Sequence, residues 1–179
     1  MLNLTEAERI INKFGYQDYK WIKSQDIVVA QWVRLKCMFG CPSYGKKAAC
    51  PPNVPSVDEC QKFFSEYQNV VLFHFEKQVE VPEARYAWCL EENKNLLALE
   101  REVFLAGFVK AFLLIMDECR LCENCSGERS KCKNQKLSRP GPEALAVDVY
   151  STIRRQGYFI QVLENYKKPM NRFAFLLVD

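Results

Sequence analysis

The sequence has a single histidine among its 179 residues, and this scarcity excludes several common kinds of site. The metalloprotease motif H-E-x-x-H needs two histidines, and the sequence contains neither a G-x-S-x-G nucleophile motif nor a glycine-rich phosphate loop. The lone His74 lies within the apolar run VVLFHF (70–75), which favours a place in a packed strand. The sequence therefore offers no motif of a hydrolase or of a nucleotide-binding protein.

Strong net charge and long apolar runs are missing as well. The formal net charge is only +3, so it indicates neither nucleic acid nor a membrane surface as a partner. The longest apolar stretch, AFLLIM (111–116), is far shorter than the roughly 20 residues that cross a bilayer. The first residues lack a basic start followed by an apolar core. We therefore expect a soluble, cytoplasmic protein.

Cysteine is the residue that the sequence has in excess, with nine copies. In an exported domain this number would indicate disulfide bonds, but in a reducing compartment clustered thiols indicate metal ligands. Eight of them form a first cysteine group and a second cysteine group, which we interpret as candidate metal and cluster ligands. The first group is Cys37, Cys41, Cys50 and Cys60, and the second is Cys119, Cys122, Cys125 and Cys132. The ninth, Cys89, is in heptad register with Leu96 and Val103, which predicts a buried structural thiol.

The second cysteine group has the more specific spacing. Cys119, Cys122 and Cys125 form a C-x2-C-x2-C run, and Cys132 follows after six residues. Such a run lets one loop bring three thiolates to different irons of a cubane while a remote cysteine ligates the fourth. Structural zinc sites more often use two separated pairs of ligands. Residues 119–139 contain six basic and two acidic residues, which suits an anionic cluster but also an ordinary solvated loop. The spacing favours a 4Fe–4S cluster, with zinc or metal-free thiols as the alternatives.

The first cysteine group is more loosely spaced. Cys50 is followed by two prolines, and a proline after the remote ligand of a ferredoxin run turns the chain away from the cluster. Cys60 lies in the first turn of a helix predicted from the capping box 56–59, where the helix dipole stabilises a thiolate. The same residue shares an apolar face with Phe63 and Phe64, which would make it a core thiol. We predict that Cys60 is the fourth ligand of another 4Fe–4S cluster, with zinc or a three-cysteine site as alternatives.

Periodicity and capping signals predict helices that alternate with strands. Helices are expected from Thr5, from Ser56, from Pro82 to Gly107 and over 148–156. Strands are expected over 26–35, 70–75, 108–116, 158–163 and 172–178. This alternation indicates an α/β fold: a single domain over residues 1–179, with a mixed β-sheet, flanking helices and two cysteine-rich cluster-binding loops. Two of the strands run directly into cysteines, so parallel strands would place both groups at one edge of the sheet.

Several stretches resemble one known family: WVRLKC (32–37), CPSYG (41–45), ACPP (49–52), ER (100–101), AG (106–107), CRLCENC (119–125), RP (139–140) and EA (143–144). This is a prokaryotic family of predicted metal-binding proteins, a cysteine-rich domain of unknown function. The resemblance implies cluster binding in anaerobic or facultative prokaryotes and implies no particular reaction. In that family the last cysteine tends to be followed by His-Pro, whereas Cys132 is followed by Lys133 and Asn134.

Three functions fit these features. A one-electron carrier needs clusters that are fully ligated by cysteine and a redox partner protein. An enzyme needs a cluster with an iron that is open to a substrate, and a structural module needs only zinc or a redox-inactive cluster. We predict electron transfer through two 4Fe–4S clusters, and the position of Cys60 distinguishes this function from the enzyme.

Overall fold

The structure is a computed structural model that describes residues 4–165 and 168–179. Within these residues, five α-helices flank one four-stranded sheet. The helices are α1 (Leu4–Lys13), α2 (Gln31–Gly40), α3 (Val57–Ser65), α4 (Ala84–Leu105) and α5 (Val149–Arg155). The strands are β1 (Tyr19–Lys23), β2 (Asn69–Lys77), β3 (Phe112–Leu114) and β4 (Met170–Leu177). The predicted α/β class is confirmed. No helix in the described residues is long and apolar enough to span a membrane.

The sheet has the strand order β1-β2-β4-β3, and its three ladders are all antiparallel. The longest ladder joins β2 and β4, from Val70 opposite Leu177 to Lys77 opposite Met170. The prediction of a mixed sheet is therefore wrong on strand direction. A strand with apolar residues on both faces is covered on both faces, but this pattern does not determine whether its neighbours are parallel. Here helices cover both faces of an antiparallel sheet.

Alternate residues of each central strand point into two different cores. Val71 and Phe73 of β2 pack with helices α1 and α4, whereas Val70 and Leu72 pack with α3 and α5. His74 continues β2, as predicted, and its two ring nitrogens contact the side chains of Asp18 and Asn171 at 2.6 Å each.

The strand β3 forms an edge of the sheet and leads into the second cysteine group. It is shorter than the predicted strand 108–116. Side chains of α4 form hydrogen bonds with backbone groups of β3 and of the residues that follow it. The Leu113 N–H donates to Glu100 Oε1 at 2.9 Å. Asn93 both accepts from the Met116 N–H, at 3.0 Å, and donates to the Met116 carbonyl, at 2.9 Å. Helix α4 therefore fixes the segment that precedes Cys119.

Two predicted strands are absent from the described residues, and one observed strand was not predicted. Residues 158–163 form no strand, and β1 was missed. The segment 26–35 is extended only around Val29, which forms an isolated bridge with Val147, and α2 then begins at Gln31. The β-branched run is three residues long, too short to carry the strand further, so Cys37 lies on a helix rather than after a strand.

Candidate metal centres

The structure brings the four thiols of the second cysteine group together. Each of these cysteines is partly buried, and all four line one small cavity with Ala48, Ala49, Asn134 and Ser138. The segment from β3 carries Cys119 to the cavity, and the short 3-10 helix Arg129–Lys131 returns the chain so that Cys132 faces the others. The predicted grouping of these four residues therefore agrees with their placement.

Hydrogen-bond donors surround the sulfurs of this second group. The Ala48 N–H donates to Cys125 Sγ at 3.3 Å, and Asn134 Nδ2 donates to Cys122 Sγ at 3.0 Å. Burial would raise the pKa of Cys125, but N–H groups of Gly127 and Ala48 and the charge of Lys47 outweigh it and lower this pKa. Donors of this kind stabilise negative charge on sulfur, as cluster thiolates require.

A buried ion pair anchors the far end of this loop. Arg139 Nε lies 2.9 Å from Glu100 Oε1, and the Glu100 side chain is only 5% exposed. Gly141 crosses directly over Asp117, so a Cβ atom at position 141 would overlap the Asp117 carbonyl oxygen. Asp117 itself has φ 56°, in the left-handed region. The Ile115 N–H also donates to the Pro140 carbonyl at 3.1 Å. The two ends of the loop therefore meet at a fixed crossing.

Three thiols of the first cysteine group share a second cavity. Cys37 and Cys41 lie four residues apart at the end of α2, and the Cys41 N–H caps the helix by donating to the Cys37 carbonyl at 3.3 Å. Arg34 fixes this helix by donating to the carbonyls of Pro55, at 2.9 Å, and Ala144, at 3.0 Å. Cys50 joins the other two thiols in a cavity of about 330 Å³. We refer to it below as the three-thiol cavity.

The Cys50 thiol is the most deeply buried of the three. Burial raises its pKa to about 12, with further contributions from four neighbours: Glu118, Cys41, Cys37 and Cys119. A metal bound here must displace that proton, so binding at this site releases protons and strengthens with pH.

Cys60 lies elsewhere. It is fully buried and packs in the apolar cluster that contains Phe64 and Leu145. Its Sγ atom is 3.7 Å from the Pro55 carbonyl oxygen, and it lines a different cavity from the other three thiols. The predicted capping box of α3 is present, with Ser56 and Glu59 bonded reciprocally. The helix starts where the sequence indicates, but it turns the thiol into the core.

The two cysteine loops contact each other. Besides the bond from Ala48 to Cys125, Asn53 Nδ2 donates to the Gly127 carbonyl at 2.7 Å. The segment that presents Cys50 to the first site therefore also forms part of the wall of the second. Both sites lie side by side, although the strand arrangement that predicted this is not the observed one.

Charged residues distant in sequence line the three-thiol cavity. Arg85 and Tyr86 come from the start of α4, and Asp117, Glu118 and Arg120 come from the segment around Cys119. Sequence reasoning missed these residues because no motif surrounds Arg85 and Tyr86. The only sequence signal was the charged residues next to Cys119, namely Asp117, Glu118 and Arg120. They line the first site rather than the second.

Cys89 is buried, as predicted, and its Sγ atom lies 3.5 Å from Asp117 Oδ2. It lines neither cysteine cavity. Among the described residues, no three cysteine, histidine, aspartate or glutamate side chains are placed to hold one metal ion.

Residues 20–178 match the model of one protein family, described as predicted metal-binding protein (DUF2284). The chain belongs to this family. The match includes all nine cysteines and confirms the resemblance found in the sequence. The family description is one of predicted metal binding, and it names neither a metal nor a reaction. No curated protein and no solved structure matches the chain.

Proposed function

We propose that this protein is an iron–sulfur protein whose second cysteine group holds a 4Fe–4S cluster that transfers electrons. The observation that carries the proposal is the convergence of all four thiols of the C-x2-C-x2-C…C pattern on one cavity. A cluster in this position would supply one-electron transfer, and the four cysteines would leave no iron without a protein ligand.

The surroundings of the sulfurs favour a cluster over zinc. The N–H groups of Ala48 and Asn134 donate to Cys125 and Cys122, and hydrogen bonds to sulfur are among the factors that set cluster potentials. The cysteine spacing agrees with this preference, because structural zinc sites more often use two separated pairs of ligands than a C-x2-C-x2-C run.

The first cysteine group supports a second candidate function, that of an enzyme. Cys37, Cys41 and Cys50 share a cavity without Cys60, so a cubane there would have three cysteine ligands and one iron open to another ligand. Because the 41–53 loop contacts both sites, electrons from the second site would have a short path to the first. The second site then acts as the relay, and the first is where a substrate binds.

The iron content tests the main proposal. Protein purified without oxygen is expected to be brown and to contain about eight irons and eight sulfides per chain, the load of two cubanes. Iron, sulfide and zinc are measured on the same sample. A colourless protein with stoichiometric zinc would show that the main proposal is wrong.

Replacing Cys60 by alanine is expected to leave the iron content and the electron paramagnetic resonance spectrum unchanged. The substitution removes only a small buried thiol, at a cost of about 1 kcal/mol in the free energy of unfolding. Cys41→Ala is the matched variant in the same group, and it should remove the iron of the first site. Conversion of Cys60→Ala protein to a three-iron form on mild oxidation would identify Cys60 as a ligand.

A further inference from the structure

Arg85 is a cation without a carboxylate partner in the three-thiol cavity. Its guanidinium group donates to the Tyr86 hydroxyl at 2.8 Å and lies 4.6 Å from the centre of the Tyr86 ring. Among the described residues, no carboxylate lies within 4.0 Å of it. Its Nε atom is buried and has no hydrogen-bond partner among the residues that the structure describes. Buried donors without acceptors are rare in native proteins.

The other charged groups of this cavity are largely paired. Arg120 lies 2.5 Å from Glu118, and Asp117 lies 3.1 Å from Arg172. The Arg120 guanidinium also stacks on the Tyr86 ring, 3.7 Å from its centre, and its Nε atom is buried without a hydrogen-bond partner in the described part of the chain. Two guanidinium groups therefore contact one tyrosine, and the Nε–H group of each has no acceptor among the described residues.

We propose that the three-thiol cavity binds a small carboxylate, which Arg85 holds through its guanidinium group beside Cys37, Cys41 and Cys50. A planar guanidinium group pairs with a carboxylate through two parallel hydrogen bonds. The cavity volume of about 330 Å³ is in the range of sites for small molecules. The role of this carboxylate as a ligand of an open iron rests on the function proposed above, whereas its binding to Arg85 does not.

Charge favours a carboxylate over phosphate. Once the two ion pairs are set aside, Arg85 is the remaining cation of the cavity, and Glu143 is a remaining carboxylate in its lining. A bound carboxylate therefore adds one negative charge to this lining, and Arg85 is the cation available to pair with it. A phosphate dianion would bring a second negative charge close to Glu143 and to the three thiols.

Isothermal titration calorimetry on anaerobically purified protein tests this site. The probes are acetate, succinate and citrate, with acetamide as the uncharged control and inorganic phosphate as the competing anion. The variants are Arg85→Gln, which removes the charge, and Arg85→Lys, which keeps the charge but loses the planar fork. Arg101→Gln is the matched control, because Arg101 lies on the same helix with its side chain 71% exposed.

At least one of the carboxylates is expected to bind saturably, while acetamide does not bind. Arg85→Gln should weaken binding by about 10- to 100-fold, Arg85→Lys by less, and Arg101→Gln should have no effect. In the iron-loaded protein the same carboxylate should change the electron paramagnetic resonance signal of the first site only. Unchanged affinity in folded Arg85→Gln protein would overturn the proposal, and so would binding of phosphate alone.

The failure of this inference differs from the failure of the proposed function. Protein with about eight irons that binds none of the three carboxylates overturns the carboxylate site and leaves the iron–sulfur proposal standing. Protein that lacks iron but binds a carboxylate through Arg85 overturns the iron–sulfur proposal and leaves the carboxylate site standing. If Arg85→Gln shifts the reduction potential of the first site without changing carboxylate affinity, then Arg85 only balances the charge of a cluster.

Discussion

Replacing Cys122 by serine is expected to remove about half of the iron and to leave the first site loaded. Cys122 is in the middle of the C-x2-C-x2-C run, and its sulfur accepts a hydrogen bond from Asn134. A serine hydroxyl is a poor replacement for a thiolate, so the second cluster loses a ligand and is not retained. Iron and sulfide analysis should show about four of each per chain, and the resonance signal of the second site should be absent.

Cys89→Ala is the matched control, because it also removes one cysteine from the same chain. Cys89 lies in the core against Asp117 and lines neither cysteine cavity, so iron content should be unchanged. Iron loss in this control would make Cys89 a ligand. Loss of all iron and of the folded state from Cys122→Ser would show instead that the two sites are not independent.

Replacing Glu100 by alanine is expected to lower the free energy of unfolding by about 3–5 kcal/mol. The Glu100 carboxylate accepts from the Leu113 N–H and pairs with Arg139, at 2.9 Å in both contacts. Its removal leaves a largely buried cation and a buried N–H group without partners. Urea unfolding followed by circular dichroism measures the change, and iron retention can be recorded on the same samples.

Glu102→Ala is the control for Glu100→Ala, since Glu102 lies two residues further along α4. Its carboxylate is 3.7 Å from Arg101, and both side chains are substantially exposed. Such a surface pair contributes less than about 1 kcal/mol. Equal effects of the two substitutions would mean that burial of the Glu100–Arg139 pair does not matter for stability.

Features set by local sequence were predicted well. The capping box 56–59 places the start of α3, the apolar run 70–75 lies within β2, and Pro82 and Gly107 bracket α4. The grouping of Cys119, Cys122 and Cys125 also followed from spacing alone, because two-residue gaps hold the three thiols close together in one loop.

Features set by tertiary contacts were not predicted. Cys60 was predicted as a cluster ligand, with a packed core thiol as the alternative. In the structure it packs with Phe64 and lines a different cavity from the other three thiols. Arg85 belongs to the three-thiol cavity only because the start of α4 meets the segment around Cys119. These two elements are far apart in the sequence, so their contact could not be predicted from it.

Gly141 packs directly against the backbone of Asp117, so the loop between these two residues begins and ends at the same place beside the sheet. The first and last residues of the loop lie against each other, and the hydrogen bond from the Ile115 N–H to the Pro140 carbonyl holds them together. We expect this loop to open locally at a lower free-energy cost than global unfolding, once its hydrogen bonds with Ala48 and Asn53 are released. Iron would then reach the second site by movement of this loop and of its contacts with Ala48 and Asn53, and the hydrogen bonds between β3 and helix α4 would not have to break.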